Sequence, residues 1–491
     1  MRWLTEENHF FHEERCMILQ GRNALWIYWS CLCVLIVSFI YARSVNAATP
    51  QRLRVSDNGR YLVTDEGEPF FYLGDTAWEL FHRLNREEAE LYLSDRAQKG
   101  FTVIQAVILA ELDGLHTPNA YGHVPLLNDD PTRPAVKEGP DNDYWDHVDW
   151  IVQRAEELGL FIGMLPTWGD KWNKKWGVGP EIFTPENARI YGRWLGRRYR
   201  DRAIIWILGG DRNPENDRHL AIVRALAAGL AEGDGGAHLM TYHPMGGSNS
   251  ATWFHKDSWL AFNMFQSGHS AFNLPNYKTT LALRDLMPIK PVLDGEPRYE
   301  DHPVNWKQGK DWFDDWDVRQ AAYWSMLSGA CGHTYGNHNI WQMYEPPRKP
   351  ISFARTPWKE ALHHPGSAQM GLMRAILTQR PWYRLVPDQS LIHGNELEGA
   401  DHRRCARSID DAFVLVYLPT GGSLTVHWET ASREEVQVWW FDPRTGRSHD
   451  GGRKRPGESL ALRAPGSGRG RDWLLILDKV SAGLTPPHVA R

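Results

Sequence analysis

The sequence predicts an α/β fold, a (β/α)8 TIM barrel that is followed by a small C-terminal all-β sandwich domain. Between residues 70 and 335, eight short apolar segments alternate with amphipathic segments, in which apolar residues recur every three or four positions, as helices require. Beyond about residue 383 the pattern changes to short strand-like runs separated by turns that contain Gly and Pro. No Gly-rich dinucleotide-binding fingerprint follows the first strand, which argues against an open doubly wound sheet.

The eight apolar segments are predicted as buried strands at residues 70–73, 101–109, 160–165, 204–208, 238–242, 260–265, 291–293 and 333–335. Helices are predicted between them at residues 86–99, 145–158, 186–199, 217–231 and 317–328. Asn85 followed by Glu88 starts the first of these helices, and Gly100 ends it just before a strand. A β-hairpin at residues 52–64 precedes the barrel and is predicted to brace its floor.

The chain is predicted to have three regions: residues 1–48, a signal peptide or signal anchor; residues 49–382, the barrel with its amino-terminal hairpin; and residues 383–491, a small β-sandwich accessory domain. In the last region strands are predicted at 413–418, 424–428, 436–441 and 473–477, and the Gly-, Arg- and Pro-rich residues 448–470 are predicted as a loop. No low-complexity linker separates the two folded regions, so we expect them to be docked.

The amino-terminal region carries the only membrane signal in the sequence. An apolar stretch from residue 24 to 42 follows Arg22 and precedes the small residues Ala47 and Ala48, which is the pattern of a secretory signal. We therefore predict a secreted or periplasmic protein. Because the apolar run is close to the length of a membrane span, an uncleaved segment that anchors the protein to a membrane is the alternative.

Composition argues against several classes of partner. There are 55 Lys and Arg against 60 Asp and Glu, which gives a formal charge of −5, so no nucleic acid partner is predicted. Three of the five cysteines lie in the leader, and the remaining two, Cys331 and Cys405, are far apart; neither a disulfide framework nor a Cys-ligated metal site is predicted, and no cofactor. The 24 Trp favour sugar binding, because indole rings stack on sugar faces as well as fill cores.

Two acidic residues, Asp211 and Glu296, each lie just beyond a predicted strand. Side chains at the carboxyl ends of barrel strands converge on one face, where the active sites of these barrels are built. A carboxylate pair at that face can divide the proton-donor and nucleophile roles in glycosidic bond cleavage, with about 5 to 6 Å between the two groups. We predict Asp211 as proton donor and Glu296 as nucleophile. The alternative is that both acids are salt-bridge partners within the barrel.

Polar and aromatic side chains at nearly every strand end are predicted to bind the substrate. They are Asp75, Trp78, Gln105, Trp168, His243, Asn263, Gln266, Tyr335 and Trp341. Glu111 and Asp294 are further strand-end acids. Carboxylates, amides, imidazoles and indoles with few lysines suit a neutral polyhydroxylated ligand, so we predict a carbohydrate as the partner.

Five segments carry a resemblance to a known family. They read GRYLV at 59–63, PFFYLGDTAW at 69–78, GFTVIQ at 100–105, ILGGDRNP at 207–214 and DGEP at 294–297. From about residue 52 to its end the chain resembles glycoside hydrolase family 140, an apiosidase-type barrel whose carboxyl-terminal domain is described as collagen-binding. The resemblance implies a retaining mechanism with Asp211 as acid/base and Glu296 as nucleophile. It also implies a plant-type polysaccharide or oligosaccharide as substrate, with apiose-containing pectic side chains as one candidate.

Two other functions stay open on the sequence. A non-catalytic carbohydrate- or collagen-binding protein would keep the aromatic side chains and tolerate loss of either acid. A metal-dependent barrel hydrolase would need clustered ligands, for which His116, His123, His333 and His338 are loose candidates. No H-x-H or H-E-x-x-H run is present, so no metal ligand is predicted.

Overall fold

The computed structural model describes residues 51–489 except 310, 429–433, 456 and 458. The predicted signal peptide or anchor at residues 1–48 lies outside the described residues. Within the described part of the chain, no helix combines the length and the apolar character that a membrane crossing needs.

A three-stranded antiparallel sheet precedes the barrel, as the predicted hairpin requires. Strand β1 (Leu53–Val55) pairs with β2 (Leu62–Thr64), which pairs in turn with β3 (Pro69–Phe70). Leu53, Leu62 and Phe70 pack against residues from the amino ends of barrel strands, and the rings of Phe70 and Phe161 lie 5.2 Å apart. The hairpin therefore closes the floor of the barrel, opposite the face at which strand ends carry functional side chains.

The predicted (β/α)8 barrel is confirmed, with eight parallel strands. They are β4 (Tyr72–Thr76), β5 (Val103–Leu109), β6 (Phe161–Thr167), β7 (Ile204–Gly209), β8 (Met240–His243), β9 (Asn263–Phe265), β10 (Val292–Asp294) and β11 (Gly332–Tyr335). Strands β11, β4, β5, β6, β7 and β8 form one parallel sheet, and β9 pairs with β10. A hydrogen bond from Ala261 N–H to the Met240 carbonyl joins β8 to the segment before β9, and one from Cys331 N–H to the Val292 carbonyl joins β10 to the segment before β11. These bonds close the barrel.

Helices surround the barrel. They are α1 (Leu80–Arg83), α2 (Arg86–Gln98), α3 (Tyr144–Glu157), α4 (Pro185–Arg198), α5 (Asp217–Asp234), α6 (Ala251–Phe254), α7 (Asn276–Arg284), α8 (Asp315–Met326), α9 (His338–Trp341), α10 (Trp358–Ala361) and α11 (Pro365–Thr378). The five helices predicted from periodicity correspond to α2, α3, α4, α5 and α8. At the start of α2, Asn85 and Glu88 form a reciprocal capping box, which satisfies two backbone N–H groups that a helix end leaves free.

Side chains of the barrel strands alternate between the interior and the helices, because successive residues of a strand point to opposite faces. In β5, Val103 and Val107 belong to the interior cluster, whereas Ile104 and Ile108 belong to the layer between the strands and the helices. Residues that are paired across neighbouring parallel strands point to the same face of the sheet. This alternation decides which strand-end residues can reach a cavity above the barrel.

The carboxyl-terminal region is a sandwich of two antiparallel sheets. One sheet has the order β12 (Leu385–Pro387), β13 (Arg404–Ser408), β14 (Phe413–Leu418), β19 (Trp473–Lys479), β16 (Val436–Phe441) and β17 (Ser448–Lys454), and the other pairs β15 (Gly421–Val426) with β18 (Leu460–Ser467). The prediction of a loop at 448–470 is therefore wrong, since β17 and β18 lie there. Residues of β17 are exposed or only half-buried, so this edge strand lacks the apolar alternation by which strands are predicted.

Helix α8 docks the barrel onto the sandwich. From Trp316 to Met326 every residue of α8 is buried. Arg319 makes a buried ion pair with Asp472 at 2.8 Å, and the rings of Tyr323 and Tyr417 stack at 4.6 Å. The indole N–H of Trp316 donates to the Pro419 carbonyl at 2.8 Å. A helix buried on all sides is a shared core element, so the two regions are packed together as expected.

Candidate active site

A cavity of about 680 Å³ opens at the carboxyl ends of the barrel strands. Loops that follow most of the strands contribute residues to its wall. The lining residues are Trp78, Glu111, Trp168, Trp176, Asp211, Met245, Gly246, Gly247, Gln266, Ser267, Gly268, His269, Ser270, Leu274, Glu296, Tyr299, Asn305, Trp306, Trp341, Ile351 and Ser352. The cavity has the size of a small-molecule site, and both predicted carboxyl groups, Asp211 and Glu296, face it.

A sharp turn after β7 presents Asp211 to the cavity. Gly209, Gly210 and Asp211 all have positive φ, at 99°, 80° and 54°. A Cβ atom at Gly209 would overlap the carbonyl oxygen of His243, and one at Gly210 would lie 2.8 Å from the backbone nitrogen of Gly169. Only glycine fits both constraints, and aspartate is one of the few residues that tolerates the left-handed region. The Gly-Gly-Asp sequence is thus explained by backbone geometry.

Asp211 is held by two neighbours. Its backbone N–H donates to Nδ1 of His243 at 3.1 Å, and Nη1 of Arg212 lies 3.2 Å from its Oδ2 atom. Burial, followed by the negative charge of Glu296, raises the pKa of Asp211 to about 7. The buried Arg212 guanidinium, stacked under the Trp176 ring at 4.2 Å, limits that rise. A carboxyl group in this environment carries a proton near neutral pH.

Glu296 has the opposite environment. Nε2 of His269 forms a hydrogen bond with its Oε1 atom at 2.9 Å. Nε2 of His243 lies 3.0 Å from its Oε2 atom, which is within ion-pair distance, but the angle does not meet that of a hydrogen bond. Burial alone would raise the pKa of Glu296, but the imidazole N–H groups of His243 and His269 and their electrostatic attraction lower it well below its usual range. Glu296 is therefore ionised wherever the protein is folded at ordinary pH.

The two carboxyl groups have opposite electrostatic surroundings. They share one cavity, and the charge of Glu296 is the second-largest cause of the raised pKa of Asp211. Opposite pKa shifts are the arrangement that lets neighbouring carboxyl groups take different roles in proton transfer and nucleophilic attack.

Aromatic rings form much of the cavity wall. The rings of Trp78 and Trp168 lie 5.4 Å apart, and that of Trp78 meets the His243 ring edge-on at 5.3 Å. At the rim, Trp176 is 63% exposed and Trp306 46% exposed, which is unusual for indole side chains. Deep tryptophans and exposed rim tryptophans together offer flat apolar faces for the C–H faces of a sugar.

Several predicted binding residues meet at the site. Trp78, Trp168, Gln266 and Trp341 line the cavity with the two acids. His243 lies directly beneath them, fully buried, in contact with both Asp211 and Glu296.

Four predicted binding residues lie elsewhere, and the prediction that they face the cavity is corrected. Asp75, Asn263 and Tyr335 point outward from their strands: Asp75 bonds to Tyr92 and Arg96 of α2, Tyr335 bonds to Glu300, and Asn263 contacts Ser250 and His255. Strand alternation puts them on the helix side. Gln105 points inward but lies lower in the barrel, bonded to Tyr72 and the Gly295 carbonyl.

Other lining residues were absent from the predicted set. His269, Tyr299, Asn305 and Trp306 come from the long loops after β9 and β10, and Trp176 from the loop after β6. These residues were missed because the prediction selected side chains at the ends of strands, and such a position does not identify residues that lie further along a loop. The nearest available signal was the concentration of aromatic and imidazole side chains in these loops. Glu111, predicted only as a further strand-end acid, does line the cavity.

Across the described residues there is no group of three or more His, Cys, Asp or Glu side chains placed to hold a metal ion. His333 and His338, two of the loose candidates, are both buried, and Nε2–H of His338 donates to the Ser352 carbonyl at 2.9 Å.

Comparison with known proteins gives a consistent result. Residues 56–384 match the family model "Apiosidase-like, catalytic domain", and residues 386–478 match "Putative collagen-binding domain of a collagenase". A solved structure described as a glycoside hydrolase is 34% identical, with 88% of this chain and 97% of that chain covered and a TM-score of 0.81. A glycoside hydrolase family 5 structure from Bacteroides vulgatus is 31% identical, with 89% and 95% covered and a TM-score of 0.82. None of the curated proteins compared matches the chain.

Proposed function

Because this chain belongs to the family of apiosidase-like catalytic domains and is a glycoside hydrolase, we propose that it works by a retaining mechanism with Asp211 as acid/base and Glu296 as nucleophile. The observation that carries the proposal is that the two carboxyl groups face one cavity, in surroundings that shift their pKa values in opposite directions. A retaining mechanism requires a separation of about 5 Å between them.

The proposed reaction has two steps. In the first, the Glu296 carboxylate attacks the anomeric carbon while the bond to the leaving oxygen breaks and Asp211 delivers its proton to that oxygen. In the second, Asp211, now ionised, takes a proton from water as the water oxygen attacks the anomeric carbon and releases Glu296. His243 and His269 keep Glu296 ionised and oriented between turnovers.

The composition of the cavity supports an uncharged sugar at the point of cleavage. Three carboxyl groups and five tryptophans line it, and among the described residues no Lys or Arg does. A sugar carboxylate would meet negative charge without a cationic partner. The proposed substrate is a plant-type polysaccharide or oligosaccharide, with apiose-containing pectic side chains as the first candidates, and Trp78, Trp168, Gln266 and Trp341 as its binding residues. Secretion or export of the enzyme stays a prediction.

Replacement of Glu296 by Gln tests the proposal. The change keeps the shape of the side chain and removes the nucleophile, so we expect hydrolysis of pectic oligosaccharides and aryl glycosides to fall by at least about 10³-fold while the melting temperature changes little. Glu300→Gln is the matched control, because Glu300 is also buried but bonds to Tyr335 and the Gly366 N–H outside the cavity. Turnover by Glu296→Gln close to that of the control would refute the assignment, and product analysis by NMR reports the anomeric outcome.

A further inference from the structure

A third carboxyl group, that of Glu111, faces the cavity and has no part in the proposed mechanism. It follows β5 directly, ahead of a tight turn in which Asp113 N–H donates to the Glu111 carbonyl at 2.8 Å. A Cβ atom at Gly114 would come within 2.9 Å of the Ala110 backbone, so the turn is closely packed. Glu111 is therefore held at a defined place in the wall.

The Glu111 side chain differs from its acidic neighbours in its lack of partners. Glu79 contacts His82 at 2.6 Å, and Asp170 contacts Lys171 at 2.7 Å. Asp211 and Glu296 have Arg212 and the two histidines. Among the described residues, none forms a hydrogen bond or an ion pair with the Glu111 carboxyl group. A polar group at a cavity wall without a protein partner is available to a ligand.

We propose that Glu111 is a substrate-contacting residue that donates a hydrogen bond to an oxygen atom of an uncharged sugar. The inference rests on the proposed function for the identity of the ligand. It assigns a third carboxyl group to the site, with a role in binding and specificity that is separate from the roles of Asp211 and Glu296.

Electrostatics explain why Glu111 keeps its proton. Burial, and then the negative charges of Glu79, Asp211, Asp170 and Glu296, raise its pKa well above the usual range. The basic groups beside these acids, His82 and Arg83 at Glu79 and Lys171 at Asp170, are engaged by the acids themselves. A protonated carboxyl group has one O–H donor and a free acceptor oxygen. Buried acids kept neutral in this way serve as hydrogen-bond donors in other active sites.

Such a donor discriminates between ligands. A sugar with a hydroxyl or ring oxygen at this position gains a hydrogen bond, whereas a deoxygenated analogue leaves the O–H group unpaired in a partly desolvated wall. The same acid-rich surroundings disfavour a second negative charge brought in by the ligand. Glu111 therefore selects for an oxygenated and uncharged sugar face.

Two variants separate hydrogen bonding from charge. Glu111→Gln keeps a neutral donor of the same shape, and Glu111→Met keeps the length and removes all polarity. On an aryl glycoside that the wild-type enzyme hydrolyses, we expect kcat/KM for Glu111→Gln within about threefold of wild type and a loss of about tenfold or more for Glu111→Met. Equal loss in both variants, or wild-type rates in both, would overturn the proposal.

The pH profile gives a second readout. If Glu111 is neutral, Glu111→Gln removes no charge, and the basic limb of kcat/KM, set by Asp211, stays in place. If Glu111 were ionised, its removal would lower the pKa of Asp211 and move that limb to lower pH, which contradicts the proposal. Azide is expected to restore turnover to Asp211→Ala with a good leaving group, but not to Glu111→Met; rescue of the latter would make Glu111 the acid/base instead.

Failure of the proposed function is distinguishable from failure of this inference. If Glu296→Gln remains active, the retaining assignment is wrong whatever Glu111 does. The protonated Glu111 carboxyl is expected as a carbonyl band in the infrared difference spectrum between wild type and Glu111→Gln, measured at neutral pH without substrate. If wild type and Glu111→Gln are both folded as judged by circular dichroism, absence of that band would refute the protonated donor independently of any activity.

Discussion

The backbone N–H of Asp211 donates a hydrogen bond to Nδ1 of His243 at 3.1 Å. With Nδ1 engaged as an acceptor, Nε2 is the nitrogen that carries the imidazole proton, and that atom lies 3.0 Å from Glu296. One ring thus links the turn that presents the acid to the carboxylate proposed as nucleophile. The tautomer of His243 follows from the position of Asp211.

This link predicts the effect of His243→Phe. The phenyl ring keeps the packing against Trp78 and Trp168 but removes both nitrogens, so Glu296 loses one of the two groups that lower its pKa. We expect kcat/KM to fall roughly 10- to 100-fold and its acidic limb to move to higher pH. His219→Phe, a change at a histidine that packs on Trp172 outside the cavity, should leave the pH profile unaltered. An unchanged acidic limb in His243→Phe would count against the link.

The pH dependence of the wild-type enzyme follows from the two carboxyl groups. Activity needs Glu296 ionised and Asp211 protonated. Because the pKa of Glu296 is lowered and that of Asp211 is raised to about 7, kcat/KM should be level through mildly acidic pH and fall as the pH rises above about 7. The two limbs belong to the interacting pair rather than to single residues. Rates measured from about pH 4 to 9 on one aryl glycoside check this, and a rise in kcat/KM above pH 8 would contradict it.

The Gly-Gly-Asp turn is predicted to be intolerant of substitution. Gly209→Ala places a methyl group against the His243 carbonyl at a φ of 99°, so we expect a destabilisation of about 2–5 kcal/mol and loss of activity. Gly236→Ala is the matched control, because φ is 74° but no atom lies within 4 Å of the added Cβ. It should cost about 1–2 kcal/mol and leave activity intact. Denaturant unfolding of both variants gives the comparison, and similar stabilities would show that the close contact at Gly209 is unimportant.

The buried ion pair between Arg319 and Asp472 predicts that the barrel and the sandwich unfold together. Arg319→Leu leaves Asp472 buried without its partner, which we expect to cost about 3–5 kcal/mol. Arg189→Leu, which breaks an ion pair with Glu232 on the surface, should change stability by about 1 kcal/mol or less. A single unfolding transition in wild type is expected by calorimetry. Two separate transitions in wild type, together with a loss of stability in Arg319→Leu no larger than that in Arg189→Leu, would mean that α8 does not couple the two regions.

Most of the barrel could be read from the sequence because its strands are buried on both faces and its helices are amphipathic. All eight predicted strand positions overlap observed strands, although β9 is shorter than the apolar run that signals it. The edge strand β17 could not be read, because its side chains are exposed or half-buried and carry no apolar pattern. The prediction failed where burial, the physical source of the pattern, was missing.

The sequence by itself determined the fold class, the Gly-Gly-Asp turn and the two acids that lie beyond β7 and β10, because burial and backbone geometry restrict which residues can occupy those places. Only the tertiary structure decided which strand-end side chains meet. A shift of one residue along a strand turns a side chain from the cavity to the helices, which is why Asp75 and Tyr335 lie outside. Loops from distant parts of the chain then brought His269 to Glu296, and no local pattern encodes that contact.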